Sequence, residues 1–279
     1  MNKNFLFAGL VFFLWPIAVA AAELRSDIEY ATADGESLKL DVSVPDGAGP
    51  FPVVLVIHGG GWSRGSKAEG MKPLVGPLTD GGFTWFSINY RLAPAHPWPT
   101  CIDDVRSAIR WVKAHAAEYK GDPQKVALLG YSAGGHLAAF AAATADDDTR
   151  VQGVVLFAGP VSLEDDIKFK NGLSTSLQGL FGHGKEMDDQ IAKVLHDASA
   201  NNFLTAKFPP CLLIHGTEDK SVAFAQSENL KARLDELRVP CELVSISGGD
   251  HHIDQWEHID PSYGEKMVAW LNKTLSAGK

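Results

Sequence analysis

Lys125-Val126-Ala127-Leu128-Leu129-Gly130-Tyr131-Ser132-Ala133-Gly134-Gly135-His136-Leu137-Ala138-Ala139-Phe140 decides the fold of this chain. An apolar run long enough for one buried strand ends in Gly-x-Ser-x-Gly, and a helical apolar run follows at once. A serine held between a strand and a helix that close on each other needs small residues two positions to either side, because larger side chains clash there. Such a turn lifts the Ser132 hydroxyl above the sheet edge. It also aims the next backbone N–H, that of Ala133, at whatever the hydroxyl attacks. Taken alone, the motif also describes a glycine-rich turn with an incidental serine.

Two further segments narrow the choice. His58-Gly59-Gly60-Gly61-Trp62 follows the apolar run Val53–Ile57 and so sits at the C-terminal end of a buried strand, where the ligand loops of open α/β sheets gather. Consecutive glycines let the backbone approach a ligand and leave N–H groups free to bond an oxyanion. Farther on, the run from Cys211 to Ile214 enters His215-Gly216-Thr217-Glu218-Asp219, and the run from Glu242 to Ile246 enters Gly248-Gly249-Asp250-His251-His252. Serine, acid and histidine follow one another in the chain order of an α/β-hydrolase, each just past an expected strand. A serine hydroxyl needs a base within hydrogen-bond reach, and that base needs an orienting acid. Chain order leaves His251, His252 and His258 for the base, and His258, beyond the turn, reads as a surface residue.

Around these segments, 279 residues with 45% hydrophobic content suffice for one large core. Residues 28–31 and 38–44 read as a hairpin around Asp34-Gly35, the second strand alternating apolar and polar as if one face were wet. Beyond Pro52, continuous apolar runs at 53–57, 83–88, 125–130, 151–157, 211–215 and 242–246 alternate with helical segments, the pattern of a parallel sheet covered on both faces. After Pro99, Thr100 with Asp103 reads as a capping box, and Val105, Ala108, Ile109 and Val112 recur at helical spacing. Asp103, Asp104 and Arg106 then read as capping and surface charges. Residues 162–205 break the alternation and are expected to form a small cap insertion with short helices such as 187–196.

The N-terminal segment differs from the rest: Lys3, an apolar stretch from Phe5 to Trp15, Pro16, then Ala18-Val19-Ala20-Ala21-Ala22. Residues 1–22 read as a signal peptide cleaved after Ala20 or Ala22. The expected product is a secreted or periplasmic domain, 23–279, with no stable membrane insertion once the leader is removed. The competing reading, an uncleaved anchor, is disfavoured because the apolar stretch falls short of the roughly 20 residues a spanning helix needs. With 34 acidic against 25 basic side chains the formal net charge is −9, which argues against nucleic acid and anionic membrane as partners. Asp146-Asp147-Asp148 reads as a solvated loop, and the histidines lack metal-ligand spacing, so no metal site is expected. Cys211 and Cys241 begin adjacent strands and could face each other, but free buried thiols are the expected state.

His58-Gly59-Gly60-Gly61, Asn89-Tyr90-Arg91-Leu92-Ala93-Pro94, Gly130-Tyr131-Ser132-Ala133-Gly134-Gly135 and His215-Gly216-Thr217-Glu218-Asp219 together resemble the hormone-sensitive-lipase-like carboxylesterases (the bacterial family IV type) and the related secreted carbohydrate-esterase-type hydrolases. The resemblance implies an α/β-hydrolase fold with an eight-stranded, mostly parallel sheet and a small cap. It implies no metal or organic cofactor, and hydrolysis of short-chain acyl esters through an acyl-enzyme on Ser132. Acetyl or feruloyl esters of plant polysaccharide are among the expected small-molecule or polysaccharide-linked substrates. Matched to the family's loops, Asp219 takes the place of the acid, with Glu218 as the alternative, and His251 that of the base, with His252 as the alternative. The pair His252-Ile253 departs from the Gly-Phe-like pair usual after that histidine. Gly60, Gly61 and Ala133 match the oxyanion-hole donors. Trp62, Trp98 and Tyr131 are candidates to line the substrate cleft, and His58 to brace the glycine loop. A peptidase or amidase of the same fold, or a silent binding protein on a hydrolase scaffold, are the alternatives. The first generally carries a large extra domain, and silent relatives usually lose a site residue.

Overall fold

Asp34 and Gly35 both take positive φ, 50° and 81°, as a tight hairpin turn requires, so the chain reverses between β1 (Glu23–Ala33) and β2 (Glu36–Val44). The computed structural model describes residues 22–276. The leader read over residues 1–22 falls almost wholly outside them. Six more strands follow: β3 (Phe51–Ile57), β4 (Thr84–Ile88), β5 (Gly121–Tyr131), β6 (Gly153–Phe157), β7 (Cys211–Gly216) and β8 (Cys241–Ile246). All eight form one sheet in the order β1-β2-β4-β3-β5-β6-β7-β8, antiparallel through β1, β2 and β4 and parallel from β4 onward. This is the α/β-hydrolase architecture expected from the sequence.

The continuous apolar runs are explained by burial on both faces. Along β3, Val53, Leu55 and Ile57 pack on one side, with α2 (Thr100–His115) and α3 (Ala133–Ala143). Val54 and Val56 pack on the other, with α1 (Lys72–Asp80) and α9 (Tyr263–Ser276). Between β6 and β7, residues 162–205 carry α4 (Leu163–Phe169), α5 (Thr175–Phe181), α6 (Asp189–Ala198) and a 3₁₀ turn. Next, α7 (Ala225–Glu236) links β7 to β8, and the short α8 (Trp256–Ile259) precedes α9. Among the described residues no helix is long and apolar enough to cross a membrane.

Three local expectations are corrected. Within residues 38–44 the polar side chains do not share one wet face: Lys39 is half-buried and Asp41 and Ser43 are buried, and Asp41 accepts from Lys67 Nζ at 2.6 Å and from the Asp27 amide at 3.0 Å. No capping box forms at Thr100. That residue lies inside the first turn, its amide donates to Pro97, and the next free amides, of Ile102 and Asp103, are taken by the Pro99 carbonyl. Asp104 is not a surface charge. It is 2% exposed and holds Arg91 through Nε and Nη2 at 3.0 and 2.7 Å and through the Arg91 amide at 2.9 Å, tying the 89–94 loop to α2. Cys211 and Cys241 do stand opposite each other at the start of β7 and β8, as free thiols.

Candidate active site

The strand-to-helix turn is assembled from backbone. β5 ends at Tyr131 and α3 begins at Ala133, leaving Ser132 at φ 55°, a conformation a non-glycine residue adopts only under constraint. The Ser132 amide donates to Phe157 at 2.8 Å and its carbonyl accepts from His136 at 3.0 Å. A side chain at Gly134 would overlap the carbonyls of Ile57 and His58, and one at Gly130 the backbone of Gly134. The small residues around the serine are therefore required by β3 and α3 closing on β5.

After β3, Gly60 turns the chain by accepting from Ser63 and Arg64 at 3.2 and 3.1 Å. Gly61 sits at φ 59°, and a Cβ there would lie 2.7 Å from Ser176 Oγ. Among the described residues the amides of Gly60, Gly61 and Ala133 donate to no protein acceptor, and all three residues line the cleft in which Ser132 lies. His58 braces this loop. Its ring stacks on Tyr90 with centroids 4.3 Å apart, Nδ1 lies 2.6 Å from the Gly59 carbonyl, and Tyr90 Oη donates to the His58 carbonyl at 3.1 Å. Burial pushes the His58 imidazole down to about 4, so it is neutral near pH 7.

Behind the loop, Trp62 is buried and its indole N–H donates to His136 Nδ1 at 3.2 Å. That contact puts the His136 proton on Nε2, which reaches the Ala198 carbonyl at 2.7 Å. His136, fully buried, is likewise pushed down to about 4 by burial. The glycine loop, α3 and the end of α6 are thus joined through two neutral hydrogen bonds. Trp62 edges the cleft, as does Tyr131. Trp98 does not. Its amide is anchored to the Leu180 carbonyl at 2.7 Å, and its ring packs on His136 and Phe140, 5.6 and 5.0 Å between centroids, outside the cleft.

The histidine arrives from the loop after β8. His251 Nε2 lies 2.9 Å from Ser132 Oγ, and Nδ1 lies 2.7 Å from Asp219 Oδ2. Tyr131 Oη holds the His251 carbonyl at 2.7 Å, and Trp256 Nε1 holds that of Asp250 at 2.9 Å. The adjacent His252 is exposed at the rim of the cleft, where Asp250 accepts from its amide at 2.8 Å and contacts its ring at 3.1 Å. His258 is exposed, as is Glu218. Asp219 is 5% exposed and saturated. Oδ1 accepts from the amides of Ser221 and Val222 at 2.7 and 2.8 Å, and Oδ2 also lies 3.3 Å from His215 Nε2. Burial alone would raise this carboxyl. The bonds from His215 and His251 outweigh it, together with the Val222 amide, and hold Asp219 well below the usual carboxylate range.

His215 escaped the sequence reading because it looks like the end of a strand. With two acceptors at Nε2, Asp219 and the Val222 carbonyl at 3.1 Å, it carries its proton there, and Nδ1 accepts from Ser227 Oγ at 2.7 Å. Its place at the head of the His215-Gly216-Thr217-Glu218-Asp219 motif, four residues before the acid, is the signal the sequence holds.

The profile of the BD-FAE family matches residues 40–234, which reach from β2 through α7 and include the glycine loop, the serine turn and Asp219. The chain belongs to the BD-FAE family. Relatives of this BD-FAE chain include the "Probable carboxylic ester hydrolase LipM" of Mycobacterium tuberculosis, 35% identical over 205 residues that make up 69% of this chain and 46% of LipM. Among solved structures, a truncated form of a carbohydrate esterase from gut microbiota aligns with a TM-score of 0.80 and 26% identity, covering 94% of this chain and 99% of that one. The apo form of Thermogutta terrifontis esterase 2 aligns with a TM-score of 0.71 and 26% identity, covering 94% and 96%. This BD-FAE chain spans about half the length of the curated relatives it matches.

Proposed function

We propose that the protein is a serine carboxylesterase that hydrolyses short-chain acyl esters through an acyl-enzyme on Ser132. The observation that carries this reading is the unbroken line Ser132 Oγ, His251, Asp219, at 2.9 and 2.7 Å, beside three unengaged backbone amides. In the reaction, Ser132 Oγ attacks the ester carbonyl carbon as His251 Nε2 takes the hydroxyl proton. The carbonyl oxygen gains negative charge, and the amides of Gly60, Gly61 and Ala133 stabilise it by up to roughly 3 kcal/mol each. The imidazolium then gives its proton to the leaving alcohol oxygen as the C–O bond breaks. Water, deprotonated by the same nitrogen, releases the acid and regenerates Ser132. Asp219 keeps the proton of the neutral imidazole on Nδ1 and stabilises the charged form.

Names of relatives support the class, since they are called carboxylic ester hydrolase and carbohydrate esterase. The motif resemblance and the carbohydrate-esterase neighbour support acetyl or feruloyl esters of plant polysaccharide as the substrates we propose. The cleft holds about 560 Å³, within the roughly 300–1,000 Å³ range of small-molecule sites, so an acetyl group leaves most of it for the alcohol half. The run of Lys3, apolar residues and Ala18-Val19-Ala20-Ala21-Ala22 supports export to the periplasm or medium. A panel of p-nitrophenyl esters from acetate to laurate, with acetylated xylan and methyl ferulate, tests the reading. Turnover strongest on the short acyl chains and absent in Ser132→Ala is expected. Turnover that survives in Ser132→Ala, or cleavage of peptide anilides in place of esters, would overturn it.

A further inference from the structure

The cleft has a charge opposite to that of the chain around it. Arg64 from the glycine loop, Lys170 from the end of α4 and Lys220 from the turn after Asp219 all line it, and among the described residues no carboxylate does. The whole sequence, by contrast, has nine more acidic than basic side chains. Among the described residues neither Arg64 nor Lys220 has a carboxylate within ion-pair distance, and both are exposed at the mouth. Lys170 has one partner, Asp166, 3.1 Å away. That carboxylate is 1% exposed, while Lys170 itself lines the cleft. Two cations with no acidic partner among the described residues, and a third paired with one buried acid, gather from three separate loops at one opening of an acidic molecule and focus a positive potential on whatever enters.

We propose that the cleft takes acyl esters whose alcohol half carries a negative charge, such as a uronic acid. The inference rests on the ester-hydrolase reading above and specifies its substrate. The acyl carbonyl must lie against Gly60, Gly61 and Ala133, and the alcohol oxygen must face His251, which protonates it. Lys220 directly follows Asp219, the partner of His251. Lys170 and Lys220 line the same cleft as His251. An alcohol half that fills the rest of this cleft meets their charge. A sugar carboxylate or a sugar phosphate supplies the same charge at that place.

The test compares acetate release from three methyl glycosides: monoacetylated galactose, the same compound with the primary alcohol oxidised to a carboxylate, and the same compound phosphorylated there. With wild-type protein in low salt, kcat/KM for an anionic ester is expected to exceed that for the neutral one about ten-fold, and the larger of the two anionic values identifies the source of the charge. Raising salt to about 0.5 M, where screening acts within a few ångströms, should remove most of that preference. In Arg64→Gln and in Lys220→Gln the anionic-to-neutral ratio should fall by about three- to five-fold. A ratio near one for wild type at low salt, or a preference that salt leaves intact, overturns the inference even if a variant fails to fold. Failure of wild type to hydrolyse any of the three esters or p-nitrophenyl acetate would instead defeat the ester-hydrolase reading, and this inference with it.

Discussion

The loops that follow β3 and β5 are walled by backbone, whereas the 162–205 segment meets the same cleft through side chains. At Gly130 and Gly134 an added Cβ strikes main-chain atoms that cannot yield, and His58, Trp62 and His136 behind them are buried and hydrogen-bonded. The segment offers Ser176 and Lys170 to the cleft, while Phe169 and Met187 point to water with 46% and 47% of their surface exposed. Backbone walls fix where a reacting atom sits, and side-chain walls decide what else can be bound. On the proposed reading the backbone of the first region serves the chemistry, while Lys170 of the second joins Arg64 and Lys220 in the choice of substrate.

The sharpest way to break that contrast is to put a side chain where backbone stands. Gly134→Val should fail to give folded protein, since relieving the overlap with Ile57 and His58 means parting β3 from α3, and a cooperative thermal transition near that of wild type would show the wall to be soft. Next, Asp219→Asn should lower kcat by about 10⁴-fold, roughly 5 kcal/mol, because the amide cannot fix the His251 tautomer, whereas Glu218→Gln should stay within about two-fold. Comparable losses in both would mean that the acid is shared.

Acid should weaken the walled region by a smaller amount. His58 and His136 stay neutral in the fold down to about pH 4, while in the unfolded chain they take up protons near their ordinary value of 6.5. Stability contributed by their neutrality is complete above about pH 6.5 and is lost as pH falls toward 4, each histidine accounting for up to about 3 kcal/mol. Chemical denaturation of wild type and His136→Gln across that window checks it, the variant showing the shallower decline. Least affected should be Phe169→Ser, within about 0.5 kcal/mol of wild type in the same assay. A drop of 2 kcal/mol or more, on the order of a buried aromatic, would show that this side chain has a partner.

The same contrast explains what was legible in the sequence. The eight strands and the serine turn could be read because two-sided burial imposes continuous apolar runs, and backbone contact at 130 and 134 admits only glycine. Ser132, Asp219 and His251 could be ordered along the chain, and the geometry brings those three together, with His252 exposed at the rim of the cleft. Contacts that join distant segments left no local trace. Asp104 reads as a helix-surface acid until Arg91 is seen against it, and Trp98 as a cleft aromatic until its amide is seen bonded to α5. Thr100 has the residues of a capping box, but the carbonyls of Pro97 and Pro99 reach the first-turn amides before any side chain does. The cations at the cleft were missed for the same reason: Arg64, Lys170 and Lys220 lie in three unrelated stretches of sequence.

The most direct measurement is mass-spectrometric mapping of the adduct left by an organophosphonate. One phosphonyl group on the peptide containing Ser132 is expected, with a labelling rate about 10³-fold lower in His251→Ala and unchanged in His252→Ala. Label on another residue, or full-rate labelling of His251→Ala, would contradict the assignment of Ser132 as a hydroxyl activated by His251.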